Sequence, residues 1–171
     1  DATLVLNTGS GTVVFNGDFG ATTNFGGITQ LGTGTVTFGA GTSLATPLTN
    51  SVFVFSGPGG STAAEFLVLG TIGTGQTGNN NGLQATNDAT VTFGDGANAA
   101  TVNISDAAGA AANLDTRNGG RFEFINLSAP VVFSDAPDNA NGGDGTIVVG
   151  TGTINPTIDF VGGNFEVARG T

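Results

Sequence analysis

The chain has 171 residues, a formal net charge of −10 and only 9% charged residues, and it contains no Cys, His, Tyr or Lys. Without Cys and His, Ser-His-Asp triads, thiolate nucleophiles and the usual zinc sites are excluded. The acidic balance would repel nucleic-acid phosphates, and no apolar run approaches the roughly 20 residues that cross a bilayer, so we expect neither a nucleic-acid partner nor membrane insertion.

A short alternating segment that closes on Phe recurs along the chain and predicts β-strands. Its copies end at Phe15, Phe38, Phe55, Phe93, Phe124, Phe133 and Phe160. Apolar residues at every second position are typical of a strand with one buried face. Further strands are predicted at residues 4–6, 66–69, 102–104, 147–149 and 165–167. Longer loops are predicted at residues 73–82 and 135–145, and at most two helical turns at residues 106–112.

The spacing of the closing Phe residues favours a repeating coil. The steps from Phe15 to Phe38 and from Phe38 to Phe55 are each close to one turn of a β-solenoid, which takes about 20 residues. The step from Phe55 to Phe93 is close to two such turns. Beyond Phe93 the rhythm breaks, because the remaining closing Phe residues are unevenly spaced.

The pattern therefore predicts an all-β fold. A parallel β-helix, or solenoid, is the architecture that the first half favours. A β-sandwich or jelly roll is the close alternative, because irregular spacing is normal in those folds. No shift in composition marks a boundary, so residues 1–171 are expected to form one all-β domain or repeat array, which can belong to a longer chain.

Two stretches have the form of a strand, a glycine-rich turn and a strand that closes on Phe: residues 4–17, LVLNTGSGTVVFNG, and residues 31–39, LGTGTVTFG. They resemble the units of bacterial β-strand-repeat surface proteins, which include autotransporter-associated repeats and filamentous-haemagglutinin-like adhesins. The resemblance covers roughly the first hundred residues. It implies secretion, a cell-surface position and a role in adhesion or coat formation, and it implies no active site.

Calcium is the predicted cofactor, in a structural role. Residues 135–145 combine carboxylate and amide oxygens, which are the ligands that Ca²⁺ prefers. The candidate ligands are Asp135, Asp138, Asn139, Asn141 and Asp144. The alternative is an ordinary solvated loop in which Asn and Asp cap turns.

A second, weaker calcium candidate combines Asp95, Asn98 and Asp106. A different chemistry would need two acids facing one cleft, as in glycoside hydrolysis, and Glu123 and Asp159 are the candidates. The simpler expectation is that both face solvent, with Glu123 or Asp115 pairing with Arg121 and Arg117. The chain is therefore not predicted to be an enzyme.

The leading functional hypothesis is a secreted, extracellular structural protein that assembles with copies of itself into a filament, fibre or surface lattice. Exposed sheet edges pair readily with another chain, and residues 2–6 and 164–168 are short alternating segments suited to such pairing. The alternative is an adhesin module that binds glycans through clustered loops, such as residues 73–82 beside residues 135–145. A polysaccharide-active enzyme is the remote alternative.

Overall fold

The computed structural model describes residues 2–19, 25–45, 52–74, 82–102, 113–128, 131–133, 146–149 and 158–160. Every regular element in these residues is a β-strand. In chain order the strands are β1 (Ala2–Leu6), β2 (Thr12–Phe15), β3 (Phe25–Gln30), β4 (Thr35–Phe38), β5 (Ser43–Ala45), β6 (Val52–Ser56), β7 (Ala64–Val68), β8 (Thr71–Thr74), β9 (Gly82–Thr86), β10 (Ala89–Phe93), β11 (Thr101–Val102), β12 (Asn113–Thr116), β13 (Arg121–Phe124), β14 (Val131–Phe133), β15 (Thr146–Val149) and β16 (Ile158–Phe160).

The strands form a parallel β-solenoid. The first sheet has the order β1-β3-β6-β9-β12, the second has β2-β4-β7-β10-β13-β15 and the third has β5-β8-β11, while β14 pairs with β16. Each turn of the coil adds one strand to a sheet, parallel to the strand of the turn before. The predicted parallel β-helix is confirmed. The alternative of an antiparallel sandwich or jelly roll was wrong.

The alternation seen in the sequence sets the register of the second sheet. Val13 pairs with Val36, Val36 with Phe66, Phe66 with Val91, and Val91 with Phe122. From the second turn onward these inward-facing side chains are fully buried. Successive strand residues point to opposite faces, so Thr and charged residues between them face outward.

The predicted number of residues in one turn of the solenoid was wrong, although the predicted solenoid itself was correct. Along the second sheet, successive turns run from Val13 to Val36, then to Phe66, Val91 and Phe122, so their lengths differ and all exceed the expected length of about 20 residues. Phe55 lies on β6 in the first sheet, whereas Phe38 and Phe93 lie in the second. The steps to and from Phe55 therefore compare strands of different sheets.

The uneven spacing of the closing Phe residues after Phe93 does not mark an end of the solenoid. Phe93 and Phe124, which are consecutive closing Phe residues, are register partners in the second sheet. Phe133 and Phe160, the last two, are partners across β14 and β16. The coil therefore extends beyond the first hundred residues, with turns of variable length.

Five strands escaped the sequence analysis because their alternation is short or polar: β3, β5, β8, β9 and β12. The predicted loop at residues 73–82 is bounded by the end of β8 at Thr74 and the start of β9 at Gly82. The predicted helical turns at residues 106–112 lie outside the described residues, and so does the predicted pairing segment at residues 164–168 with its strand at 165–167.

Stacked Phe rings fill the core. Phe93 has ring centroids 5.0 Å from Phe124 and 6.0 Å from Phe122, nearly parallel in both cases, and all three rings are fully buried. Phe15 stacks on Phe38 at 5.6 Å. Offset-stacked aromatic pairs add about 0.5–1.5 kcal/mol to the burial of their area, so these rings help to hold β2 to β4 and β10 to β13.

Glycine allows the corners of successive turns to stack directly. The Gly34 N–H donates to the Gly9 carbonyl at 2.9 Å, and the Thr35 N–H donates to the Gly11 carbonyl at 3.1 Å. A Cβ at Gly34 would overlap the carbonyl oxygen of Gly11 in the turn before. Glycine is therefore required at this corner by close backbone approach.

Candidate functional site

Among the described residues, the first turn of the solenoid, formed by β1 and β2, has no strand paired on its outer side. In the described part of the chain β1 pairs with β3 alone, and β2 pairs with β4 alone. The inward-facing side chains of this turn are only half-buried: Leu4, Leu6, Val13, Phe15 and Phe19. Their partners in the second turn are fully buried: Ile28, Gln30, Val36, Phe38 and Leu44. Within the described residues, the apolar core is thus less covered in the first turn than in the second.

The backbone hydrogen bonds show which residues of β2 face outward along the sheet. The Phe15 carbonyl accepts the Gly39 N–H at 2.8 Å, so the backbone groups of Phe15 point towards β4. In a strand, the N–H and C=O of one residue point to the same side and those of the next residue point to the other. The N–H and C=O of Val14 and Thr12 therefore point away from β4, into the open edge.

The same pattern holds for β1. The Leu6 carbonyl accepts the Leu31 N–H at 2.8 Å, so the backbone groups of Thr3 and Val5 point into the open edge. The side chains of Val5 and Val14 are 58% and 54% exposed, on the outer faces of the two sheets. We call the outer edges of β1 and β2, with the half-buried side chains between them, the open edge.

Two features that often protect an edge strand, charge and Pro, are missing from the two strands of the open edge. Neither β1 (ATLVL) nor β2 (TVVF) contains a charged residue or Pro. Natural edge strands are usually blocked by Lys, Pro, a bulge or a covering loop, because unpaired backbone groups recruit other strands. The one irregularity in these two strands is a register shift between Ala2 and Thr3 at the start of β1. The outer edge of β2 is regular along its length.

A buried amide holds the first two turns together at one corner. Gln30 is fully buried, its Oε1 accepts the Thr8 N–H at 3.4 Å and the Gly32 N–H at 3.3 Å, and its Nε2 donates to the Thr8 hydroxyl at 2.5 Å. Sequence analysis missed this residue, because Gln alone carries no signal of burial. Its position after Ile28 in the alternation was the available indication.

The candidate carboxylate pair is not brought together within one sheet. Glu123 lies on β13 in the second sheet, whereas Asp159 lies on β16, which pairs with β14. The Glu123 carboxylate accepts hydrogen bonds from Arg121 Nε at 2.5 Å and from the Thr92 hydroxyl at 3.3 Å. The predicted pairing of Arg121 with Glu123 is confirmed, and both residues lie on the outer face of the sheet.

At the second calcium candidate, the carboxylate of Asp95 closes a turn. Its Oδ1 accepts the N–H groups of Ala97 at 2.7 Å and Asn98 at 2.6 Å. Asn98 Nδ2 also donates to both carboxylate oxygens, at 3.2 and 3.3 Å. The backbone N–H groups of Ala97 and Asn98 lower the pKa of Asp95, because they stabilise its ionised form. These contacts give Asp95 a structural role in the turn.

The main calcium candidate lies elsewhere. Asp135, Asp138, Asn139, Asn141 and Asp144 all fall outside the described residues, as does Asp106 of the second candidate. Within the described ranges, no group of three or more acidic side chains converges on one point. Calcium binding at residues 135–145 stays a prediction from the sequence.

Comparisons with protein-family models, with curated proteins and with solved structures found no significant match to this chain. The resemblance to autotransporter-associated repeats and filamentous-haemagglutinin-like adhesins therefore stays a prediction. Among the described residues no helix is long and apolar enough to cross a membrane. The class that the structure itself defines is the parallel β-solenoid.

Proposed function

We propose that this chain is a structural module that assembles with copies of itself into a filament or surface lattice, outside the cell or at its surface. The observation that carries the proposal is the open edge, where β1 and β2 each pair on one side only among the described strands. An added strand there would satisfy the outward N–H and C=O groups and cover the half-buried core.

Energetics favour an attachment that engages β1 and β2 together. A backbone hydrogen bond adds a net of about 0.5–1.5 kcal/mol, whereas association costs an estimated ~4–15 kcal/mol in lost freedom of motion. One short strand such as β2 offers few bonds. Both strands together, with burial of the apolar side chains between them, offset more of this cost than β2 alone.

The proposed location rests on the resemblance of residues 4–17 and 31–39 to bacterial surface repeats. The adhesin alternative depends on the loops at residues 73–82 and 135–145, and residues 75–81 and 135–145 of these lie outside the described residues. We therefore base the proposal on the open edge, whose strands lie within the described residues.

Replacing Val14 by Pro tests the proposal without disturbing the monomer. Pro removes the one N–H of Val14, which points into the open edge, and Pro is tolerated on edge strands when that N–H faces outward. The matched control is Val14→Thr, which keeps the N–H and the β-branched shape. Circular dichroism should show that both variants keep the fold.

Sedimentation velocity and electron microscopy then give the readout. The unsubstituted chain and Val14→Thr should form polymers, and Val14→Pro should sediment as a monomer at the same concentration. Polymers that persist unchanged in Val14→Pro would remove the open edge from assembly. An unsubstituted chain that stays monomeric at all concentrations would overturn the proposed function.

A further inference from the structure

An Asn-Gly pair occupies a tight turn at the corner between β12 and β13. The Gly120 N–H donates to the Arg117 carbonyl at 2.9 Å, which closes the turn. The two central residues have positive φ angles, 47° at Asn118 and 77° at Gly119, as in a type I′ turn. Both are exposed to solvent. Asn-Gly suits this turn, because both residue types tolerate a positive φ.

The same pair is chemically reactive, because Gly has no side chain to hinder attack by its backbone nitrogen on the preceding Asn. A bond forms between the Gly119 nitrogen and Cγ of Asn118, and the bond from Cγ to Nδ2 breaks. Nδ2 leaves as ammonia, with the proton from the Gly119 nitrogen, and a cyclic imide remains. Water then opens the imide on one side to give Asp, or on the other side to give isoaspartate, whose main chain runs through Cγ.

The closed turn holds the reacting atoms apart. In the left-handed conformation, Cβ of an L-residue lies close to the carbonyl oxygen of the same residue. The nitrogen of the next residue is bonded to the same carbonyl carbon, on the side away from that oxygen. In the closed turn the Gly119 nitrogen therefore points away from Cβ and Cγ of Asn118. The attack requires the turn to open.

Hydrogen bonds to the preceding turns of the solenoid keep this corner closed. The Asn118 carbonyl accepts the Asp88 N–H at 2.9 Å. Asn118 Nδ2 donates to Asn87 Oδ1 at 3.5 Å, and Asn87 Nδ2 donates to the Ser56 hydroxyl at 3.0 Å. We call Ser56, Asn87 and Asn118 the amide ladder. It connects the same corner in three successive turns of the solenoid.

Deamidation would weaken this corner. The carboxylate of Asp offers only acceptors, so the donor from position 118 to Asn87 Oδ1 would be lost. Asp88 Oδ1 lies against Gly119, where an added Cβ would overlap it, so a new negative charge on the neighbouring residue would be repelled. In isoaspartate, the carbonyl group that accepts the Asp88 N–H becomes a free carboxylate outside the main chain.

We propose that Asn118 is a site of spontaneous deamidation that is controlled by opening of the corner between β12 and β13. The closed corner protects the amide, and each opening exposes it to attack by the Gly119 nitrogen. Because neither product restores the amide ladder, the reaction makes the opening irreversible. This inference needs only water as a co-reactant and does not depend on how subunits assemble.

Peptide mapping by mass spectrometry tests the proposal on the full chain. The protein is incubated in mildly alkaline buffer, either folded or unfolded in guanidinium chloride. Deamidation of Asn118 should be roughly tenfold or more slower in the folded chain, because local opening must precede the attack. The exposed pair Asn16-Gly17 is the internal reference, since Asn16 does not have a positive φ. Folding should slow its deamidation less.

A variant in the amide ladder tests the control by the corner. Asn87→Gly removes the acceptor for Asn118 Nδ2, and Gly tolerates the φ of 54° at this position. Loss of this hydrogen bond should speed deamidation of Asn118 in the folded chain roughly 2- to 10-fold. The control Thr101→Ala removes the hydroxyl contact with Ser128, away from this corner, and should leave the rate unchanged.

The other results would overturn the inference. An Asn118 that stays intact in the unfolded chain would not be a deamidation site. Equal rates in the folded and unfolded chains, or equal rates in Asn87→Gly and Thr101→Ala, would remove the control by the corner. Asn118→Asp represents one product and should lower the melting temperature, and an unchanged melting temperature would contradict the weakening of the corner.

Discussion

Truncating two Phe residues should show directly that the first turn is open. Phe93 is fully buried and stacks on two rings of β13, whereas Phe15 is half-buried and contacts the rings of Phe38 and Phe19. Phe→Ala at a buried core site costs about 3–5 kcal/mol. We expect Phe93→Ala to cost about 4 kcal/mol, within this range, because its side chain is fully buried. Phe15→Ala should cost roughly half as much in the monomer, in proportion to its burial.

Urea unfolding followed by far-ultraviolet circular dichroism measures the difference. The chain has no Trp or Tyr, so backbone signal is the suitable probe. With a denaturant slope of about 2 kcal/mol/M, a loss of about 4 kcal/mol moves the midpoint by about 2 M for Phe93→Ala, and half that loss moves it by about 1 M for Phe15→Ala. Equal shifts for the two variants in the monomer would refute the reasoning, because they would mean that the first turn is covered.

Three further predictions concern the corners and the acidic residues. Gly34→Ala should destabilise the chain by about 1–3 kcal/mol, because the added Cβ overlaps the preceding turn. The control Gly41→Ala should be neutral or slightly stabilising, because no atom lies within 4 Å of the added Cβ. Similar melting temperatures for the two variants would contradict the stacked corner. The pKa of Asp95 is lowered in the folded state, so the stabilisation from its ionised carboxylate is present above the ordinary pKa of 3.8 and is lost as the pH falls through the lower folded value. The difference in melting temperature between the unsubstituted chain and Asp95→Ala should therefore shrink in acid. A difference that is constant with pH would contradict this. Calorimetric titration should detect calcium binding that the double variant Asp138→Asn, Asp144→Asn loses, and binding that is unchanged in this variant would place the site elsewhere.

The fold could be predicted because its determinants are local. Period-two alternation at β2, β4, β10 and β13 needs only one buried and one solvated face, and the sequence contains both. The strands that were missed, such as β9 (GLQAT) and β12 (NLDT), have weak alternation. They are held by pairing with β6 and with each other, and strand propensity depends strongly on such neighbours.

Register and edges could not be predicted, because they depend on the number of residues in each corner. Phe38 and Phe55 have the same sequence signature, yet they lie in the second and first sheets. Nothing within β2 itself shows that it is an edge strand. Its role as a candidate assembly surface follows only from its position in the order of strands, and the charge on interior strands such as β13 becomes informative only once that order is known.

The central proposal, that subunits assemble through the open edge, is tested most directly by cryo-electron microscopy of assembled protein. The expected result is a polymer in which the β2 edge of each copy is hydrogen-bonded to a strand of a neighbouring copy, at the usual spacing of about 4.8 Å between strands. Monomers alone, or polymers in which the β2 edge faces solvent, would contradict the account.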